Sequence, residues 1–203
     1  TGAASLPIPP ASQVRGARAT RTTHPKVLRD LGDLFSTRLG ERRKVSNPFA
    51  WRTKAEVIDA VVRLGFRDQI RFTHSCADVH NITIQYPHCG RCSQCVDRRF
   101  AILSLNLEKD DPGEAYRVDL LHGKRLNVQD REMILSSVRN ARFYFLADRE
   151  RFLMKFPEVA DAIGETDRSP GDALNRLYDL HKRHGAVVAR VMDAALNTLK
   201  TEE

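Results

Sequence analysis

Cysteine is scarce in this chain: there are four among 203 residues, and none lies outside positions 76–95. No apolar run approaches the length of a membrane span, which excludes a helical membrane protein. The first residues, Thr1-Gly2-Ala3-Ala4-Ser5-Leu6, carry no basic segment and no long apolar core, so they do not read as a secretory signal. No internal repeat is present, which excludes a solenoid or propeller. The second half holds no nucleophile–base–orienter set. His122, His181 and His184 stand isolated there and read as packed or solvated side chains. What remains is a soluble globular protein, expected in the cytoplasm, made of one domain or a domain with an appendage.

The charge is one-sided. With 33 lysines and arginines against 26 acidic residues, the formal charge is +7 and the isoelectric point about 9.5. That balance favours an anionic partner, whether nucleotide, phosphate or nucleic acid, without choosing among them.

The four cysteines carry the most specific signal. Cys89-Gly90-Arg91-Cys92-Ser93-Gln94-Cys95 has the spacing C-x-x-C-x-x-C, and Cys76 lies twelve intervening residues upstream. A C-x-x-C turn lets two thiolates converge on one ion about 2.3 Å away, with glycine free to take the backbone angles of the turn. Four soft ligands with no thiol left over fit a closed tetrahedral zinc site at Cys76, Cys89, Cys92 and Cys95, structural in role because no position stays open for water. Two disulfides or four free thiols are the alternatives, and a reducing cytosol favours metal over cystine. His74, His80 and His88 flank the cluster and are weaker substitutes for one ligand.

Along the chain, Ser5–Pro10 cannot be helix and reads as a start inside a larger domain. The following arm, with Arg15, Arg18, Arg21, Thr22 and His24, either presents guanidinium forks and hydroxyls to a phosphate or is a solvated basic arm. Pro25 begins a helix whose apolar face is Leu28, Leu31, Phe35 and Leu39, ended by Gly40. Asn47–Trp51 is a turn, and Thr53-Lys54-Ala55-Glu56 has the form of a capping box at the start of a second helix. Lys54 opposes that helix's dipole, which makes it a functional candidate beside the simpler expectation of a solvated lysine. Gln69–His74 and Asn81–Tyr86 alternate polar and apolar residues and predict a short strand and a small hairpin arm. Cys95 falls on the first turn of a helix carrying Val96, Phe100 and Leu103, with Asp97, Arg98 and Arg99 expected on its charged surface. Beyond Asp110-Asp111-Pro112-Gly113 the chain is basic and helical. Ile134, Val138, Ala141 and Phe145 form one stripe, and a last helix starts at Ser169-Pro170, with Gly185 a point of interruption.

The run Thr73-His74-Ser75-Cys76, then His88-Cys89-Gly90-Arg91-Cys92 through Cys95-Val96-Asp97-Arg98-Arg99-Phe100-Ala101, resembles the 7-cyano-7-deazaguanine synthase (QueC-like) family. The family's T-K-x-E helix start is matched at Thr53–Glu56. The resemblance implies an α/β fold: residues 1–107 would be the C-terminal part of a Rossmann-like ATP-pyrophosphatase (PP-loop) domain, with its zinc site at 73–98, and residues 108–203 a mainly α-helical extension. It implies structural zinc on the four cysteines, and ATP and Mg2+ for the complete enzyme. The implied chemistry is adenylation of a 7-deazaguanine carboxylate and its conversion to amide or nitrile. Lys54 and Arg98, with the Arg21, Thr22 and His24 loop, become candidates for contacting substrate or nucleotide oxygens; no residue is assigned to catalysis.

Two departures from the family shape the expectation. The S-G-G-x-D-S pyrophosphate loop is not in this sequence, so the chain alone is expected to be inactive, with the PP-loop portion supplied in cis or in trans. The helical extension looks more like the divergent QueC-like proteins of antiphage operons (the QatC type), which implies a defence-system protein as partner. Two readings compete with the enzyme part. One is a partner-binding subunit of a defence complex without its own catalytic loop. The other is a zinc module binding nucleic acid through the Arg15, Arg18 and Arg21 arm, the weakest of the three.

Overall fold

The structure, a computed structural model, describes residues 25–78, 80, 82–163, 166 and 168–201. The Ser5–Pro10 segment and the arm with Arg15, Arg18, Arg21, Thr22 and His24 lie outside the described residues.

Helix α1 spans Pro25–Leu39 and stops at Gly40, whose φ of 71° is the left-handed value that ends helices. Its one buried residue is Gly32, which lies against the Arg43 carbonyl of the loop that follows. The apolar face is therefore formed as expected but left exposed at Leu31, Leu34, Phe35 and Leu39. The Asn47–Trp51 turn is closed by the Asn47 side chain, which accepts from the Phe49 N–H at 2.9 Å. Helix α2, Lys54–Arg63, opens on the capping box: Thr53 Oγ1 accepts from the Glu56 N–H and the Glu56 carboxylate from the Thr53 N–H.

Two expected β elements are corrected. Arg67–Phe72 is a 3-10 helix, not a strand. A half-buried strand would bury alternate residues on one face, whereas only Ile70 is buried here and Phe72 is 67% exposed. Within the expected hairpin arm, Ile82–Tyr86 closes as a turn: the Thr83 N–H donates to the Tyr86 carbonyl and the Tyr86 N–H to Thr83 Oγ1. Ile84 points fully into solvent, so no sheet face exists for it to join. Among the described residues there is no strand, only an isolated parallel bridge between His88 and Tyr116. The sheet of the expected α/β fold is thus not found among them.

Helix α3, Ser93–Ser104, begins at the Cys92 cap. Helices α4 (Val128–Leu146), α5 (Arg149–Lys155), α6 (Glu158–Ile163) and α7 (Pro170–Thr201) complete the described chain. Asparagine and aspartate caps start α4 and α5, where Asn127 accepts from the Gln129 N–H and Asp148 from the Arg151 N–H. Helix α7 runs through Gly185 without the predicted interruption. A Cβ there would sit 2.4 Å from the Ala141 carbonyl, so the glycine permits the close approach of α4 to α7.

Helix α7 is the spine of the core. Val188 and Val191 meet Val96 and Phe100 of α3, Leu120, and Ala141 of α4. Val187 meets Ala55 of α2 and Ala101 of α3. Leu177 joins Tyr144, Phe152, Phe156 and Val159 in an aromatic cluster. These clusters unite helices from both sides of Leu107: α3 packs on α2 before it and on α4 and α7 after it. No helix among the described residues is long and apolar enough to cross a membrane.

Candidate metal centre

The four sulfurs of Cys76, Cys89, Cys92 and Cys95 lie within 4.8 Å of one another and could together hold a metal ion. Cys89 and Cys95 are buried, while Cys76 and Cys92 are half-buried. Sequence local to the turn produces this convergence. Gly90 has φ of 69°, and the backbone N–H groups of Arg91 and Cys92 then point at Cys89 Sγ, at 3.4 and 3.3 Å. Cys95 sits inside the first turn of α3, so its sulfur is fixed by the helix that Cys92 caps.

Hydrogen bonding from Cys92 and Cys95, and then from the backbone, lowers the pKa of Cys89. The same Cys89 interaction raises Cys92 and Cys95, burial adding to both. One thiolate is favoured and further ones are opposed until a cation enters to balance them. The donor set of four thiols, with backbone N–H groups already directed at sulfur, fits a thiophilic divalent ion.

Beside the cysteines, α3 grips the segment that follows it. Arg98 and Arg99, expected on a charged helix surface, are instead 3% and 6% exposed. Arg98 donates to Asp111 Oδ2 at 2.8 Å, to Thr73 Oγ1 at 2.6 Å and to the Ile70 carbonyl at 2.9 Å. Burial works against its charge, yet the Asp111 charge and hydrogen bond raise its pKa above the ordinary arginine value. Tyr116 donates to the same carboxylate at 2.7 Å, and burial first, then Asp111, pushes the phenol up. Arg99 donates to Asp119 and to the Asp111 carbonyl, and lies over the Tyr116 ring. His88 is buried between Tyr116 and Asp111, its Nε2 3.7 Å from Asp111 Oδ1, and burial lowers its pKa to about 4. The aspartates of this network gave no pattern in the sequence, since Asp110-Asp111-Pro112-Gly113 reads as an ordinary turn.

Lys54, expected to be solvated if it has no function, is 7% exposed at the start of α2. Burial lowers its pKa, partly offset by Asp97 and Cys95. Asp97 in turn lies 3.6 Å from His184 Nδ1 of α7. A groove of about 520 Å³ opens between α2, the end of α3 and α7; Thr53, Glu56, Ser104, Arg183 and Arg190 help to line it. Neither Lys54 nor Arg98 belongs to that lining. The structure therefore brings the four cysteines together and sets Lys54 and Arg98 near them, while Arg21, Thr22 and His24 lie outside the described residues.

Residues 26–106 match the family model described as queuosine biosynthesis protein QueC. Over 83 residues the chain is 34% identical to 7-cyano-7-deazaguanine synthase 1 of Sulfurisphaera tokodaii. That alignment covers 41% of this chain and 35% of the relative, so the chain spans about a third of that relative's length. No solved structure matches the chain. The part of the chain that is similar to QueC, residues 26–106, holds α2, α3 and all four cysteines.

Proposed function

We propose that this chain is the zinc-bearing part of a QueC-like ATP-dependent synthetase. The observation that carries the reading is the convergence of four thiols inside the segment that matches the QueC family. Zinc on Cys76, Cys89, Cys92 and Cys95 is structural: four thiolates fill its coordination, and the bound ion ties Cys76 to the start of α3. Residues 1–107 then form the C-terminal part of a Rossmann-like PP-loop domain, and residues 108–203 a helical extension sharing its core.

In the complete enzyme, ATP with Mg2+ would adenylate the carboxylate of a 7-deazaguanine with release of pyrophosphate, and ammonia would displace AMP to give the amide. A second adenylation, on the amide oxygen, followed by loss of AMP would give the nitrile. The pyrophosphate loop comes from a PP-loop portion in cis or in trans. Arg21, Thr22 and His24 provide positive charge and hydrogen-bond donors toward the acyl-adenylate or nucleotide oxygens, and Lys54, buried at the start of α2, adds its charge without direct contact. Arg98 contributes by holding Thr73 and Asp111 in place beside the cysteines, because its donors are already taken up inside the protein. The protein acts in the cytoplasm, with antiphage defence as its biological setting.

The test is pyrophosphate exchange into ATP by the natively purified protein with whatever co-purifies, in the presence and absence of 7-carboxy-7-deazaguanine. Exchange that depends on the carboxylate is expected. A zinc-replete preparation containing the PP-loop portion that shows none would remove the synthetase reading. One observation favours a second reading, a partner-binding subunit of a defence complex: the exposed apolar face of α1, with Leu34 at 60% and Leu39 at 59%. On that reading a protein partner co-purifies and no exchange is seen.

A further inference from the structure

A divalent ion held by four thiolates remains two charges short of neutrality, and Cys89 and Cys95 keep this excess negative charge out of water. Charge buried in this way needs a counter-charge set inside the protein. Two cations are set there. Lys54 is buried, and Cys95 is among the groups that favour its charged form. Arg125 lies under the cysteine turn, where its Nη2 donates to the Gly90 carbonyl at 2.9 Å and, more weakly, to the Asp119 carbonyl at 3.5 Å.

Arg125 is the more telling of the two. Its Nε and Nη1 are shut off from solvent and have no hydrogen-bond partner. Burial lowers the pKa of its guanidinium, with Asp130, Asp119 and Cys89 acting in the opposite direction. The carboxylates are engaged elsewhere: Asp119 accepts from Arg99 at 3.1 Å, and Asp130 lies 3.6 Å from Arg91. A neutral donor would serve the Gly90 carbonyl equally well, so that single bond does not account for a buried guanidinium with two idle nitrogens. A thiolate cluster alongside does account for it.

We propose that Arg125, with Lys54 as a second cation, supplies the positive charge that compensates a tetrathiolate metal centre at Cys76, Cys89, Cys92 and Cys95. Arg125 is a positioning residue in this role: it holds the Gly90 carbonyl with one nitrogen and places the rest of its charge against the cysteine turn. The inference rests on the zinc reading given above. It adds that the helical extension, which carries Arg125, takes part in holding the metal of the QueC-like segment.

The test is zinc affinity, measured on the full chain by competition with a chromophoric chelator, alongside zinc content and far-ultraviolet circular dichroism. Arg125→Gln removes the charge and Arg125→Lys keeps it, and both side chains are shorter than arginine, so the comparison between the two isolates the charge. Arg125→Gln and Lys54→Met are each expected to bind zinc about 10–100-fold more weakly than wild type, the range seen when outer-shell partners of metal ligands are removed. Arg125→Lys is expected to retain most of the affinity. Wild-type affinity in Arg125→Gln, or an equal loss in Arg125→Lys, overturns the proposal and leaves the zinc reading standing. A wild-type chain that binds no zinc overturns both. Should Arg125→Gln fail to fold, Lys54→Met decides: unchanged affinity there counts against charge compensation.

Discussion

Single residues set the geometry of the cysteine turn, and Gly90 does so twice over. Its left-handed backbone aims two N–H groups at Cys89, and the missing side chain makes room for the Val118 backbone. A Cβ at this position would lie 1.8 Å from the Val118 carbonyl oxygen, a backbone atom that cannot swing aside. Gly90→Ala is therefore expected to be destabilising: about 1–2 kcal/mol follows from the left-handed backbone alone, and the clash adds to it. A loss of that size lowers Tm by roughly 2–8 °C in a chain of this length. Thermal denaturation with parallel metal analysis checks it, and an unchanged Tm would mean that the turn does not have this conformation.

At the scale of elements, α3 and α7 explain what the sequence could and could not tell. The capping box at Thr53, the glycine stop at Gly40 and the start of α7 at Pro170 were readable because each is a local rule satisfied by neighbouring residues. The burial of Arg98 and Arg99 was not readable, because their partners Asp111 and Asp119 come from a loop with no periodic signature. The Gln69–His74 stretch misled for the converse reason: its alternation is that of a strand, but only Ile70 finds a core to enter. Arg125 carried no signal at all in the sequence, since an isolated arginine in a basic stretch looks solvated.

Helix α7 also carries a buried titrating group. The His181 ring lies 5.0 Å from Tyr144 and 5.3 Å from Phe152, its Nδ1 sits 2.7 Å from the Leu177 carbonyl, and burial lowers its pKa to about 4. The unfolded chain takes up this proton near 6.5, well before the folded one does. The stability that His181 contributes as a neutral ring is thus fully present above pH 6.5 and is lost as pH falls from 6.5 toward 4. The loss is on the order of 3 kcal/mol when complete. Denaturant titrations at pH 7, 5.5 and 4.5 should show a shallower acid slope for His181→Phe than for wild type; equal slopes would mean that the ring is not held neutral.

At the scale of the whole molecule, the segment that matches QueC and the helices that follow it share one set of contacts. Val96 and Phe100 pack on Val188 and Val191, and Arg125 of the extension touches the Gly90 turn. The convergence of the four cysteines was legible in the sequence, because C-x-x-C spacing is a local fact. The sharing of the core was not, because helical stripes do not name their partners. Whether the cluster of four thiols is a metal site is tested most directly by zinc content per chain in natively purified protein, read by elemental analysis together with native mass. One zinc per chain, released when the four thiols are alkylated, is the predicted result. A folded, metal-free chain with four reactive thiols, or with two disulfides, would contradict it.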